Sequence, residues 1–462
     1  MKKVFIRNLK YVLALNVINR ILGSVNIFLV SLIFSATLYG KYVWITTVIS
    51  YFAILCDLGI ETYAQREVAE KSDMKLCDIF YTRLFLSLFS FLLCITYLFI
   101  SDRALLFENF FYVLPLYLIF FSMQFSWVFA GRQDFKPVLI AAFLQNIAAL
   151  LVISLGFFLK KNGLISFGLA FSYLVSGIYF FIILSRKKYS VFRLQIPHYS
   201  VIRKIITGSF SLGLSRAFTS VAVSFDVYLI GILLNYEEVG LYFIVFKIIG
   251  MAAIPAISIA AVLQPTLSTY KGDAQESSRA LQRTFDMAMI AGFFASGGLL
   301  LFGNEAFVWF YKNKYGGAGM LFVFLGLRLF FVYLAYYFST VLIVYRKDRR
   351  VLTITVFSSI ASVLLNLVFI PLIGVTGAAI VSLAIEAISC IAYFLSTLPF
   401  TRAAFFDPAK TRSLTSGAIG VLIIISVGLS IATPLHWYYY LASGLLLMLT
   451  YGVFMIKRIK YG

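Results

Sequence analysis

Six single charges interrupt stretches that otherwise read as lipid-soluble: Arg20, Arg216, Asp226, Lys247, Arg328 and Glu386. A charge near the bilayer midplane costs about 2.5–3.5 kcal/mol on insertion scales, so each side chain must face a partner or an aqueous cavity. Four of the six are cations, three of them arginines, whose planar fork matches the oxygens of a phosphate or pyrophosphate. The pattern is that of a membrane protein built around a polar, anionic substrate. Amides suited to hydroxyl-rich ligands stand in the same stretches, Asn19 beside Arg20 and Gln145 with Asn146, and Tyr333, Tyr336 and Tyr337 offer ring faces for sugars or simple packing. The four cysteines, Cys56, Cys77, Cys94 and Cys390, lack metal-ligand spacing. His198 and His436 fall in opposite loops, so the sequence predicts no zinc site, no disulfide, no catalytic residue and no cofactor.

The elements that carry these residues are transmembrane helices. Hydrophobic residues make up 61% of the 462, aromatic residues 18% and charged residues only 13%, with mean hydropathy +0.95, outside the range of a soluble globular chain. In a soluble protein the net charge of +20 would suggest nucleic acid; here it is topological, and no nucleic-acid partner is expected. Windows of about 20 residues, the length that crosses a hydrocarbon core, give fourteen candidate spans: 11–35, 42–60, 79–100, 110–131, 137–159, 163–184, 205–234, 239–263, 285–304, 317–345, 351–371, 375–399, 413–433 and 437–456. The predicted fold is an all-α membrane protein. The alternation of a β-barrel is missing.

Alternate loops divide sharply in their content of Lys and Arg: 28 cationic residues fall on one side and six on the other. The positive-inside rule places the rich side, with both termini, in the cytoplasm. The basic start of the chain is followed by an apolar run too long for a signal peptide and is expected to stay as the first helix. No connection exceeds about 20 residues, which leaves no room for the soluble domain that a membrane glycosyltransferase, polymerase or ligase needs, and a transporter is favoured over an enzyme.

A repeat heads each half of the chain. Asn19-Arg20 is followed by Leu38-Tyr39-Gly40-Lys41-Tyr42, and Ser215-Arg216 by Glu238-Val239-Gly240-Leu241-Tyr242. Repeats of equal orientation predict two six-helix lobes, 1–184 and 205–399, joined by the basic linker 185–204, with 400–462 adding a loop and two further helices. Arg20 and Arg216 then occupy matching positions and face a central cleft. Asp226 and Lys247 sit at equal depth on neighbouring spans, as a hairpin-locking ion pair or as a substrate or proton site. Arg20 has the simpler option of bonding Asn16, Asn19 or Asn26, and Arg83, five residues inside its span, is expected to snorkel to the cytoplasmic interface.

Several segments, in order, resemble the polysaccharide transporter branch of the multidrug/oligosaccharidyl-lipid/polysaccharide flippases, which includes the Wzx-type O-antigen flippases. They are the run from Asp57-Leu58-Gly59 through Glu61 to Ala69, then Trp127-Val128-Phe129-Ala130-Gly131, Val239-Gly240-Leu241-Tyr242 with Lys247, Gln264-Pro265, and Gly374-Val375-Thr376-Gly377-Ala378-Ala379. In the family pattern a Gln precedes the glycine at 131; here Ala130 stands there, and no polar role is carried to it. The segment from Asp57 to Ala69 reads as a solvated cytoplasmic helix.

The resemblance implies transfer of an undecaprenyl-pyrophosphate-linked oligosaccharide between leaflets of a bacterial inner membrane, within lipopolysaccharide O-antigen biosynthesis. Membrane lipids, a polysaccharide polymerase and chain-length proteins are the implied partners. On this reading Arg20, Arg216, Lys247 and Arg328, with Asn19 and Asn146, bind pyrophosphate and sugar, and Asp226 and Glu386 carry any proton or sodium coupling. The alternative is a cation-coupled multidrug exporter of the same superfamily, whose cavity should be dominated by acids.

Overall fold

The computed structural model describes residues 2–70, 75–102, 105, 107–187, 197–269, 273–312 and 314–405. The last two candidate spans, 413–433 and 437–456, lie outside these residues. The described residues are mainly helical, with no strand among them, as the sequence predicts. They divide into two compact units, Met1–Gly231 and Ile232–Gly462.

The first unit contains α1 (Lys2–Ile33), α2 (Ala36–Asp57), α3 (Ile60–Ala69) and α4 (Leu76–Ser101). Three short pieces follow: a 3-10 turn (Glu108–Val113), α5 (Leu116–Phe121) and α6 (Ser126–Gly131). Three long helices complete it, α7 (Phe135–Phe158), α8 (Asn162–Arg186) and α9 (Tyr199–Leu233), the last running two residues past the unit boundary. The second unit contains α10 (Tyr236–Ala252), α11 (Ile254–Thr269), α12 (Ala274–Tyr311), α13 (Ala318–Val344) and α14 (Asp348–Phe405). Nine helical stretches among the described residues are long and apolar enough to cross a bilayer. Large apolar side chains such as Phe85, Leu92, Phe158, Phe357 and Leu372 are exposed on them, which suits a surface solvated by acyl chains. The chain is a multi-pass membrane protein.

The two segments that head the halves of the sequence share one local feature. Ser35 ends the bend after α1 and its Oγ accepts the Leu38 N–H at 3.2 Å; Asn235 does the same after α9, its Oδ1 accepting the Glu238 N–H at 3.0 Å. Each is an N-cap that restarts the helix in a new direction. Counting back from these caps corrects one expectation. Arg20 stands fifteen residues before Ser35 and Arg216 nineteen before Asn235, so the two arginines are one helical turn out of register.

Two predicted spans are interrupted. The span expected over 239–263 breaks at Ala253 between α10 and α11, where Pro255 has no N–H to give to the preceding turn. The span expected over 110–131 is not a continuous helix. Pro115 separates the 3-10 turn from α5, and the chain from Ser122 to Phe125 is non-helical before α6 begins. In a bilayer such a break survives only where side chains satisfy the freed backbone groups.

Conversely, α14 is two helices, since Ile373 and Gly374 leave helical geometry, Gly374 at φ 65° and ψ −150°, a region open essentially to glycine. The contacts fix its shape as an antiparallel hairpin: Thr355 Oγ1 to Tyr393 Oη at 3.0 Å, Ser358 Oγ to Ser389 Oγ at 2.6 Å, and Arg350 Nη1 donating to the Ser396 carbonyl at 3.3 Å. All three pairs are centred on 373–374, the turn the sequence places between 351–371 and 375–399.

Within the first unit α9 packs on α2 and α3 through small residues. A Cβ at Gly213 would stand 2.4 Å from the Leu58 carbonyl carbon and 2.5 Å from its oxygen, both backbone atoms that have nowhere to go. Overpacking of this kind costs about 1–3 kcal/mol. Gly213→Ala is therefore expected to lower the melting temperature of the purified protein by several degrees; a melting curve matching the wild type would show that α9 does not approach Leu58 this closely.

Candidate functional site

In the second unit Arg328 projects from the middle of α13 and Glu386 from the second arm of α14. Arg328 Nη2 donates to Glu386 Oε2 at 2.9 Å, and the two side chains are only 21% and 20% exposed. The Phe246 ring of α10 lies under the guanidinium, 5.2 Å from centroid to Cζ, and stacks on Tyr242 one turn earlier. Tyr242 Oη reaches Ser382 Oγ at 3.3 Å, which joins α10 to α14. Lys247, beside Phe246, places its ammonium 4.8 Å from the Phe243 ring centroid, and no described acid of its own unit pairs with it. The half-exposed patch therefore contains two cations, one acid and a shelf of aromatic faces. Its net charge is positive, and the ring faces hold the cations through their quadrupoles.

This arrangement changes the meaning of two sequence readings. Arg328 and Glu386, expected to act separately on substrate and on a coupled ion, form a single ion pair. Tyr333 and Tyr337 are buried, and their hydroxyls donate to the carbonyls of Ala252 and Leu281 at 2.7 and 2.8 Å. They are packing elements with satisfied hydroxyls rather than a sugar platform, whereas Tyr336 is exposed.

In the first unit the amides converge. Asn146 Nδ2, on α7, donates to Asn19 Oδ1 of α1 at 3.1 Å and to the Ala142 carbonyl at 2.9 Å, and Asn26 Nδ2 donates to the Asn146 carbonyl at 3.2 Å. Asn19 is exposed, and Arg20 beside it is half-buried. Among the described residues Arg20 has neither an ion pair nor a hydrogen bond, so the amides bind one another rather than Arg20. Asp226 is buried in α9 in the first unit, and Lys247 belongs to the second. The Arg216 side chain lies outside what the structure describes.

The sequence misplaces one buried charge. Arg83 does not snorkel: it is 1% exposed, donates from Nη1 to the Gln124 carbonyl at 2.7 Å, and stands 3.7 Å from Asp57 Oδ1. Its neighbours are the break in the fourth predicted span and the end of α2. Asp57 itself is buried, and Glu61 accepts the Ser126 hydroxyl at 2.7 Å, so the first half of the Asp57–Ala69 segment is an internal polar node. Its second half, with Gln65, Arg66 and Ala69 exposed, is the solvated helix expected. The available signal was a polar Ser122-Met123-Gln124 inside an apolar span opposite an arginine.

Interrupted apolar helices, long enough to cross a bilayer and bearing an ion pair within them, make this a multi-pass membrane protein. Solved structures share its fold. One is an inward-facing multidrug resistance MATE family transporter of the MOP superfamily (TM-score 0.67, 15% identity, covering 84% of this chain and 96% of that one). Another is the lipid II flippase MurJ in an inward closed conformation (TM-score 0.66, 14% identity, 98% of each chain). A third is a MOP superfamily transporter from Pyrococcus furiosus with a binding pocket of reverse polarity (TM-score 0.54, 17% identity, 87% and 96%). Residues 5–271 match the model of the polysaccharide biosynthesis protein family, more than half of the chain, and the protein belongs to that family. No curated protein matches it.

Proposed function

We propose that the protein is a flippase that moves undecaprenyl-pyrophosphate-linked oligosaccharide units of O-antigen type from the cytoplasmic to the periplasmic leaflet of a bacterial inner membrane by alternating access. Membership of the polysaccharide biosynthesis family carries the reading, and the cation-rich aromatic patch around Arg328 supports it. A pyrophosphate stripped of water needs fixed cations, and Arg328, Lys247, Arg20 and Arg216 are the candidates to supply them. Asn19 and Asn146 offer amides to sugar hydroxyls. Sugars also stack on ring faces, and Phe243 and Phe246, both only partly buried, lie beside the cations.

The Arg328–Glu386 pair suggests how binding and release alternate. With no anion present, Glu386 satisfies the guanidinium; a pyrophosphate oxygen takes its place, and a proton on Glu386 relieves the carboxylate left behind. An inside-negative potential already drives an anion outward by about 2.3 kcal/mol per charge per 100 mV, so proton exchange adds control rather than the whole driving force. Asp226 is the other acid available for coupling.

The test is reconstitution in vesicles with a fluorescent polyprenyl-pyrophosphate saccharide, read by the fraction reachable by an outside quencher. Organic cations are assayed in parallel, because a structure of the same fold is that of a multidrug transporter. Flipping of the lipid saccharide without cation export is the expected result; cation export alone would establish the exporter reading instead.

A further inference from the structure

Arg83 joins two irregular segments that lie far apart in the sequence of the first unit. One is the corner between α2 and α3, where Leu58 and Gly59 are both left-handed at φ 41° and 79°. The other is the non-helical stretch between α5 and α6. Both interrupt stretches long and apolar enough to cross a bilayer, 36–69 and 111–131. Nη1 of Arg83 holds the Gln124 carbonyl, Nη2 faces Asp57, and the Phe121 ring lies 5.4 Å from the guanidinium.

Each anchor is itself tied down. Asp57 Oδ1 also accepts the Glu61 N–H at 2.9 Å, so the carboxylate that faces Arg83 caps α3 as well. The Gln124 side chain donates to the Tyr173 carbonyl at 3.0 Å and accepts from Ser176 Oγ at 3.1 Å. Glu61 and Ser126 add a direct bond between α3 and the first residue of α6. A broken helix exposes carbonyls that lipid cannot satisfy, and arginine's forked donors can serve such a carbonyl and a carboxylate at once, which a lysine's point charge does less well. One donor, Nε, is buried with no acceptor among the described residues.

We infer that Arg83 is a positioning residue that couples the corner at Leu58–Gly59 to the break at Ser122–Phe125, so that the two segments rearrange together during transport. The consequence for rate rests on the flippase reading; the coupling itself does not.

Hydrogen–deuterium exchange on the full-length protein in lipid nanodiscs tests the coupling without any substrate. Asp57→Asn changes the corner and its contact with Arg83 but no residue of the break, and exchange is expected to rise about tenfold or more in both 57–62 and 122–127, with α7 unchanged. A rise confined to 57–62 would overturn the inference. Arg83→Lys keeps the charge and loses the fork. It is expected to raise exchange in both segments and to lower the maximal flipping rate at least about tenfold at an unchanged half-saturating concentration of lipid saccharide. Wild-type exchange and rate in that variant would equally overturn it. Should either variant fail to accumulate, Asp57→Asn combined with Arg83→Met removes both buried charges, and wild-type exchange at 122–127 in that protein refutes the clamp. If the wild-type protein flips no lipid saccharide while the two segments still respond together, it is the functional reading that fails.

Discussion

Glu386→Gln is expected to leave potential-driven flipping nearly intact and to erase its dependence on a pH gradient, while Arg328→Ala abolishes flipping and also reduces folded protein. The difference follows from the 2.9 Å pair they form, about four-fifths buried on both sides. Glutamine keeps the shape and a carbonyl acceptor for the guanidinium but exchanges no proton. Alanine at 328 leaves a largely buried carboxylate opposite nothing, a loss of about 3–5 kcal/mol for a fully buried pair, less here because one-fifth of each side chain meets solvent that screens it. Arg328→Gln combined with Glu386→Gln separates the two effects. The double variant should recover its level in the membrane and remain inactive, having no cation at that point. Flipping at the wild-type rate by the double variant would remove Arg328 from the binding machinery. A persisting pH-gradient dependence in Glu386→Gln would make Glu386 only Arg328's structural partner.

Arg20→Ala is expected to lower flipping more than tenfold with no change in protein level, and Arg20→Lys to retain part of the activity. Among the described residues no carboxylate or amide engages this guanidinium, so its removal orphans no buried partner, unlike Arg328→Ala. An arginine kept at membrane depth without a structural partner is costly unless a ligand or an aqueous path receives it. Surface-polysaccharide staining of cells carrying each variant, alongside an immunoblot of the membrane fraction, checks both halves. Full staining with alanine at position 20 would sink the assignment.

The sequence showed what depends on short-range pattern and missed what depends on distant partners. Apolar runs marked the helices, and the division of the last apolar stretch into 351–371 and 375–399 marked the two arms of α14. The span around Pro115 passed as continuous because its 22 residues contain no charge, and its freed Gln124 carbonyl is met by an arginine 41 positions away. Depth alone made Arg83 look like a snorkelling residue; only the fold brings Asp57 to it. Arg328 and Glu386 were each recognised as costly, but their 58-residue separation hid the fact that they offset one another.

The hydroxyl-lined hairpin of α14 also bears on how the chain enters the bilayer. Its arms meet through Thr355–Tyr393 and Ser358–Ser389, so hydroxyls that would each resist partitioning are masked by one another before any other helix arrives. The link between the arms is about two residues long, too short for one arm to wait in the membrane while the other is still being threaded. The hairpin is thus suited to insert as a single package during synthesis, and a tag placed between Ile373 and Gly374 should disturb biogenesis more than transport.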